Sequence, residues 1–173
     1  MTLAILGAGG QLGTELTRLA AARGHELLSL TRDQCDVTSR ESVELSLVPG
    51  VTAAINCAAW TRVDAAEDAP DAAEAVNVDG ARTVAEVCAA RNIRLLHLGT
   101  DYVFDGSANS PIAETVPVHP LGVYGRTKLD GERAVQHADP EARIVRTSWV
   151  YGTHGPNFVL AMLRLIDEGS ELR

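Results

Sequence analysis

Residues 3–13 read LAILGAGGQLG and join a short apolar run to the first amphipathic segment of the chain. The run at 3–6 has the length and composition of a buried β-strand. In residues 11–23 the apolar side chains recur every three or four positions, which predicts an α-helix that ends before Gly24. The chain therefore opens with a strand, a glycine-rich turn and a helix.

The turn contains the pattern G-x-x-G-x-x-G, formed by Gly7, Gly10 and Gly13. Glycines at this spacing permit a tight turn, a close approach of the backbone to a pyrophosphate, and close packing of helix on strand. The free N–H groups and the positive dipole end of the following helix attract an anion. Because the pattern opens a strand–turn–helix unit, we predict a dinucleotide-binding site rather than a turn that serves packing alone.

The alternation of short apolar runs and longer amphipathic segments continues along the chain. It predicts strands at 27–30, 51–57, 94–99 and 143–147 and helices at 39–47, 71–91, 121–137 and 157–168. Such an order implies a doubly wound parallel sheet with helices on both faces, the Rossmann-type three-layer α/β sandwich. We expect one NAD(P)-binding domain over residues 1–173, with its ligand site beyond the carboxyl ends of the strands.

The composition argues against several classes of partner. The 173 residues carry a net charge of −8, without the basic cluster that nucleic acid or an anionic membrane would need. No apolar run reaches the roughly 18 residues of a membrane span. Cys35, Cys57 and Cys88 lack disulfide or metal spacing, so we predict reduced thiols and no metal site. We expect a cytoplasmic protein that binds neither nucleic acid nor membrane.

The residues after the second strand indicate which cofactor binds. NAD-selective sites commonly place a carboxylate there for the ribose 2′-hydroxyl, whereas Thr31 and Arg32 follow this strand. Arg32 suits a 2′-phosphate, which favours NADPH, and the adjacent Asp33 leaves NADH open. Asp36 and Val37 are placed to reach the adenine ring.

Tyr124 and Lys128 form the pattern Y-x-x-x-K, which puts both side chains on one face of the predicted helix. Lys128 is the only lysine of the chain, beside 14 arginines. A free phenol titrates near pH 10, and an ammonium within about 4 to 6 Å lowers its pKa. We therefore predict that Tyr124 is the catalytic acid, tuned by Lys128, rather than one of a solvated pair. Thr100 lies at the end of the fourth strand. Its hydroxyl is predicted to hydrogen-bond a carbonyl oxygen of the bound molecule and to relay the polarity of that oxygen to Tyr124.

Several longer motifs accompany these residues. They are NCAA at 56–59, NVDG at 77–80, TDYVF at 100–104, VYGRTK at 123–128 and RTSWVY at 146–151. With these motifs the chain resembles the extended short-chain dehydrogenase/reductases, and within them the dTDP-4-dehydrorhamnose reductase family. The resemblance extends over essentially all of the chain.

The resemblance implies reduction of the 4-keto group of dTDP-4-dehydro-L-rhamnose to give dTDP-L-rhamnose, a nucleotide sugar used for surface polysaccharide. The hydride would come from NADPH or NADH and the proton from Tyr124. The resemblance further implies that Thr100, Asp101 and Trp149 contact the nucleotide sugar, although Trp149 is alternatively a buried core residue. The implied cofactor contacts, besides the glycines and Arg32, are Gln11, Leu12, Asp36, Val37, Ala58, Ala59, Trp60, Thr61, Tyr124 and Lys128.

The resemblance also bears on the length of the chain. Family members continue past this length with a smaller C-terminal substrate-binding domain, which we expect to be missing here. Residues 170–173 resemble the approach to a further strand. A homodimer is left open.

Two other functions remain open at this point. Asp101 beside Thr100 is compatible with a nucleotide-sugar epimerase or dehydratase of the same superfamily, which would retain NAD tightly. The second is a non-catalytic dinucleotide-binding regulatory subunit. The complete set of Thr100, Tyr124 and Lys128 argues against that second function.

Overall fold

The computed structural model describes residues 2–169, which include a five-stranded parallel sheet. The strands are β1 (Thr2–Leu6), β2 (Glu26–Leu30), β3 (Val51–Asn56), β4 (Arg94–Thr100) and β5 (Arg143–Thr147). Their spatial order is β2-β1-β3-β4-β5, and each neighbouring pair is parallel. The predicted doubly wound α/β fold is confirmed. The strand approach predicted at residues 170–173 lies outside the described residues.

Helices occupy the connections between the strands and follow the last strand. They are α1 (Gln11–Ala22), α2 (Arg40–Ser46), α3 (Val63–Asp68), α4 (Pro70–Glu74), α5 (Ala81–Ala90), α6 (Val123–Ala138) and α7 (Phe158–Asp167). A π-helical segment, Ala75–Gly80, joins α4 to α5, and a 3₁₀ turn, Asp101–Val103, follows β4.

The prediction of one regular helix at 71–91 is wrong in detail. The structure divides this stretch into α4, the π-helical segment and α5. A π-helical turn takes up an extra residue and rotates the helix faces that follow it. A run rich in alanine gives little apolar periodicity from which that rotation can be read. Helix α3 was not predicted because its six residues are too short to show a period.

The centre of the sheet is covered on both faces. Ala4 and Ile5 of β1 are both fully buried, although neighbouring residues of a strand point to opposite faces. Ala4 belongs to the main core with side chains from α2, α5 and α6, whereas Leu3 lies against α1 on the other face. This arrangement is the predicted three-layer sandwich.

The strand order reverses at β1, which lies between β2 and β3. The chain leaving β3 bonds directly to the end of β1, where the Cys57 N–H donates to the Leu6 carbonyl at 3.0 Å. The glycine turn after β1 and the loop after β3 therefore meet at the carboxyl edge of the sheet. This is the place where doubly wound sheets bind their ligands.

Helix α7 differs from the others because none of its residues is buried. Phe158, Leu163 and Ile166 are all more than half exposed. Among residues 2–169, no helix combines the length and apolarity that crossing a bilayer requires.

Candidate active site

The glycine turn has the geometry that its sequence predicts. Gly7 has a φ of 73°, a conformation that L side chains rarely adopt, and the Gly10 N–H donates to the Gly7 carbonyl at 3.0 Å. A Cβ added to Gly13 would overlap with that carbonyl oxygen and with the backbone of Ala8. Gly10 caps α1 without a side-chain hydrogen bond, so the first amides of α1 remain open to an anion.

Two adjoining cavities lie at this edge of the sheet and share the residues Gly10, Cys57, Ala58, Ala59 and Thr61. One, of about 360 Å³, contains the predicted residues Gln11, Leu12, Gly13, Thr100, Asp101, Tyr124, Lys128 and Trp149. The other, of about 500 Å³, contains the predicted residues Gly7, Arg32, Asp36, Val37 and Trp60. The structure thus brings every residue of the predicted site to one of two connected cavities.

The second cavity lies beside the ends of β2 and β3. Thr31, Arg32 and Asp33 line it directly after β2. Asp36 accepts hydrogen bonds from the hydroxyl and the N–H of Thr38, at 2.7 and 3.0 Å, and these bonds lower the pKa of its carboxyl group. The carboxylate is therefore ionised and fixed in orientation at neutral pH.

Buried asparagines hold the loop between the two cavities. The Asn56 side chain accepts from the Ala58 N–H at 3.1 Å. The Asn77 side chain accepts from the Trp60 N–H at 2.9 Å and donates to the Trp60 carbonyl at 3.2 Å. Asn77 also donates to the Thr127 hydroxyl at 3.1 Å, and so links this loop to α6. Asn77 was predicted only as part of a motif, because its partners are distant in the sequence.

Tyr124 and Lys128 lie in α6, and both side chains are buried. The alternative of a solvated pair on the helix surface is therefore wrong. The Lys128 ammonium donates to the Leu98 carbonyl at 2.6 Å. Burial lowers the pKa of Lys128 to about 8, so the amine is mostly charged at pH 7.

The expectation that Lys128 lowers the pKa of Tyr124 is wrong for this arrangement. Burial raises the pKa of the Tyr124 phenol, and a hydrogen bond with Thr100 only partly opposes this effect. The nearby Asp101 and Tyr102 raise the pKa further. Lys128 is not among the groups found to shift the pKa of this phenol, and its ammonium donates to the Leu98 carbonyl instead. Tyr124 is therefore a protonated phenol at neutral pH.

Asp101 connects the ends of β4 and β5. Its carboxylate accepts from the Thr100 hydroxyl at 3.3 Å and from the Ser148 hydroxyl at 2.6 Å. Tyr102 packs edge-on against Tyr124, with ring centroids 5.4 Å apart. Ser148 and Tyr102 were not predicted as site residues, although both belong to the quoted motifs.

Trp149 is an exposed aromatic side chain at the rim of the site. The indole is 76% exposed, so the buried-core alternative is wrong. Its φ of 52° is unusual for a bulky residue, and such strained conformations cluster at functional sites. The following residue is held to α1, because the Gln11 side chain donates to the Val150 carbonyl at 3.0 Å.

A third cavity, of about 570 Å³, extends from Tyr124 and Trp149 to the irregular segment 104–122, which joins the 3₁₀ turn to α6. Asp105, Gly106 and Ile112 of that segment line it. The cavity offers an elongated molecule room beside the phenol. Among residues 2–169, no group of three or more His, Cys, Asp or Glu side chains is placed to hold a metal ion.

The parallel sheet, the glycine turn at its switch point and the Thr-Tyr-Lys set together define a Rossmann-type domain of the short-chain dehydrogenase/reductase kind. The chain belongs to the family described as the RmlD substrate binding domain, whose model it matches over residues 1–173.

Individual relatives agree with this family. A dTDP-4-dehydrorhamnose reductase of Mycolicibacterium smegmatis is 47% identical over 165 residues, which are 94% of this chain and 50% of the relative. A dTDP-4-keto-6-deoxy-D-glucose reductase of Streptomyces niveus is 46% identical over 163 residues, 93% of this chain and 57% of that protein. The crystal structure of a Bacillus anthracis dTDP-4-dehydrorhamnose reductase in complex with NADP has a TM-score of 0.91 at 35% identity, and the match covers 96% of this chain and 60% of that one. The chain thus spans about half the length of the curated relatives it matches.

Proposed function

We propose that this chain is the cofactor-binding part of an NAD(P)H-dependent reductase that converts dTDP-4-dehydro-L-rhamnose to dTDP-L-rhamnose. The observation that carries the proposal is the cavity that collects the glycine turn, Thr100, Tyr124 and Lys128 at one edge of the sheet. The reported relatives support the substrate class, because each is named as a reductase of a dTDP-linked 4-keto sugar.

The site fits a dinucleotide. The uncapped amides of α1 would hold its pyrophosphate, and an added Cβ at Gly13 would collide with the backbone of the turn that shapes this cradle. Arg32 would pair with a 2′-phosphate, while Asp36 and Val37 would contact the adenine, which favours NADPH. The NADP in the Bacillus anthracis structure supports the same choice. When bound, the reduced cofactor supplies the hydride for the sugar C4.

The chain's own residues would manage the proton and the carbonyl oxygen. Tyr124 is protonated at neutral pH and would donate its phenol proton to the carbonyl oxygen as that oxygen becomes a hydroxyl. Thr100 would orient the phenol through their hydrogen bond. Lys128 has three N–H donors, of which the Leu98 carbonyl takes one, so two remain for the ribose hydroxyls and the site.

The nucleotide sugar would lie between the first cavity and the third. The Asp101 carboxylate is held by the Ser148 hydroxyl and would accept a hydrogen bond from a hydroxyl group of the sugar. The exposed face of Trp149 would pack against the base or the sugar. Both residues line the two cavities on either side of Tyr124.

Titration calorimetry of this 173-residue chain with NADPH and NADH tests the cofactor site. We expect NADPH to bind more tightly than NADH, and Lys128→Met to weaken NADPH binding by about tenfold or more, because it removes charge-assisted hydrogen bonds. Arg126→Met is the matched control: it removes an exposed cation of the same helix and should change affinity less than about twofold. Absence of NADPH binding, or equal loss in the two variants, would refute the proposed site.

Oxidation of NADPH at 340 nm in the presence of dTDP-4-dehydro-L-rhamnose tests the reaction. We expect slow turnover, because substrate positioning supplies much of the rate and the chain spans about half of its relatives. Tyr124→Phe should abolish turnover and leave NADPH binding intact. Turnover that survives this substitution would contradict the assignment of the acid. Tightly retained NAD in the purified protein would instead favour the epimerase or dehydratase alternative.

A homodimer and a cytoplasmic location stay predictions. A heteromeric partner in gel filtration, together with absence of turnover, would favour the regulatory-subunit alternative.

A further inference from the structure

Glu132 continues the face of α6 that carries Tyr124 and Lys128. The three residues are spaced by four, so their side chains follow one another along the helix. All three are buried, and Glu132 is only 4% exposed. A carboxylate so deeply buried requires a partner, since an isolated buried charge is costly.

Arg146 of β5 is that partner. Its Nε lies 3.1 Å from each carboxylate oxygen of Glu132, and its Nη2 lies 2.7 Å from Oε2. The guanidinium also lies over the Phe104 ring, 5.3 Å from the ring centroid. A two-pronged contact of this kind fixes the direction of a carboxylate as well as its position.

The Glu132 carboxylate and the Lys128 ammonium meet neighbouring residues of β4. Lys128 Nζ donates to the carbonyl of Leu98. A Cβ added to the next residue, Gly99, would overlap with Glu132 Oε1, so the carboxylate lies directly on the Gly99 backbone. The absence of a side chain at Gly99 therefore allows the carboxylate to approach the strand on which the ammonium is held.

The other titratable groups around Lys128 are neutral near physiological pH. Cys57 follows β3, and burial raises the pKa of its thiol to about 12. His97 lies in β4, and burial lowers the pKa of its imidazole to about 3. Tyr124, one helical turn earlier, is kept protonated by burial. Among the described residues found to act on Lys128, Glu132 is thus the one that bears a negative charge.

We propose that Glu132 is a positioning residue whose carboxylate, fixed by Arg146, holds the Lys128 side chain in the site as an ammonium. Burial alone disfavours the charged amine, and Glu132 opposes that effect. The functional meaning of this charge rests on the proposed function, because the ammonium is the group offered to the cofactor ribose. The effect of Glu132 on the charge of Lys128 requires only residues of this chain.

Lys128 is the only lysine of the chain, so protein labelled with ¹³C- and ¹⁵N-lysine gives a single lysine side-chain signal in NMR spectra. Its chemical shift, followed against pH, reports the Lys128 pKa directly and needs no cofactor. We expect the midpoint near 8 in the unsubstituted chain. Glu132→Gln keeps the shape of the side chain and removes its charge, and should lower the midpoint by about one to three units.

Asp130→Asn is the matched control, since it removes an equal charge from an exposed position two residues away. We expect it to shift the midpoint by less than about 0.3 units. If Glu132→Gln does not fold, the double variant Glu132→Gln with Arg146→Gln removes both charges and leaves no unpaired buried ion, and it should again lower the midpoint. An unchanged midpoint in whichever of the two variants folds, or equal shifts in Glu132→Gln and Asp130→Asn, would overturn the proposal.

The titration also separates this proposal from the proposed function. A lowered midpoint without NADPH binding would keep the role of Glu132 and remove the reductase assignment. NADPH binding with an unchanged midpoint would keep the reductase assignment and remove the role of Glu132.

Discussion

His97 is an ionisable side chain enclosed within the sheet. It is 1% exposed, and its Nδ1 lies 3.2 Å from the amide nitrogen of Asn56. Because that amide donates, the imidazole accepts at Nδ1 and carries its proton at Nε2. Nε2 is buried without a hydrogen-bond partner in the described part of the chain. Burial, aided by the Lys128 charge, lowers the pKa of His97 to about 3, so the folded protein contains a neutral imidazole.

This neutral imidazole predicts a loss of stability in acid. The unfolded state protonates His97 near pH 6.5 and the folded state only near 3, so the unfolded state binds more protons between these values. The free energy of unfolding should therefore fall as pH drops below about 6.5, at up to about 1.4 kcal/mol per pH unit. His97→Gln removes this titration and should flatten the dependence, measured by urea unfolding between about pH 7 and about pH 4.5.

His25→Gln removes an exposed imidazole and is the control for that experiment. Its unfolding free energy should follow pH as in the unsubstituted chain. A His97→Gln dependence as steep as that of the control would show that His97 is not the group responsible.

The π-helical segment links the loop at 58–61 to α6 through one side chain. It places Asn77, which is 1% exposed, where its amide meets both backbone groups of Trp60 and the hydroxyl of Thr127. Thr127 donates in turn to the Tyr124 carbonyl at 3.0 Å. One buried amide thus fixes the spacing between the loop at 58–61 and α6. π-Helical turns are frequent at functional sites. The structural role of this one is to place the Asn77 amide between the loop and α6.

Asn77→Ala tests this link. The substitution leaves buried backbone groups and a hydroxyl without partners, so we expect a loss of about 3 kcal/mol in unfolding free energy and about tenfold weaker NADPH binding. Chemical denaturation and calorimetry measure the two effects. Asp79→Ala, in the same segment, removes only an exposed ion pair with Arg82 and should cost less than about 1 kcal/mol. NADPH affinity unchanged in a folded Asn77→Ala protein would contradict the positioning role.

The contrast between the glycine turn and Asn77 shows what the sequence can predict. Gly7, Gly10 and Gly13 act through backbone geometry within seven residues, so their spacing between a predicted strand and a predicted helix predicts the turn and the anion cradle. The partners of Asn77 lie 17 and 50 residues away. Lys128 illustrates a second limit: its place beside Tyr124 follows from helical spacing, but the protonation of both groups depends on burial.

Buried side chains, and with them stability, are unevenly distributed over the described part of the chain. The main core joins the sheet to α2, α5 and α6, and α6 alone contains nine buried residues. Helix α7 contains none, although its apolar sequence predicts burial equally well. Periodicity identifies an apolar face but does not say what covers it. Within the described residues, α7 is connected mainly through its first turn, where Asn157 caps the helix and donates to the Gly152 carbonyl at 3.0 Å.

Hydrogen exchange of this chain should therefore separate the two helices. Isolated helices shorter than roughly 12 to 15 residues are at best marginally stable in water, and α7 has ten. None of its described side chains is buried, so packing does not make up for its short length. We expect α7 amides to exchange by local opening that costs about 1 to 2 kcal/mol, whereas amides in the centre of α6 exchange only with global unfolding. Leu163→Ala should change the global unfolding free energy by less than about 0.5 kcal/mol, because Leu163 is 52% exposed. Val135→Ala, at a fully buried position of α6, should cost about 2 kcal/mol and provides the matched core substitution. Protection of α7 equal to that of α6 would mean that a surface of the chain, in the same or a second molecule, covers its apolar side chains.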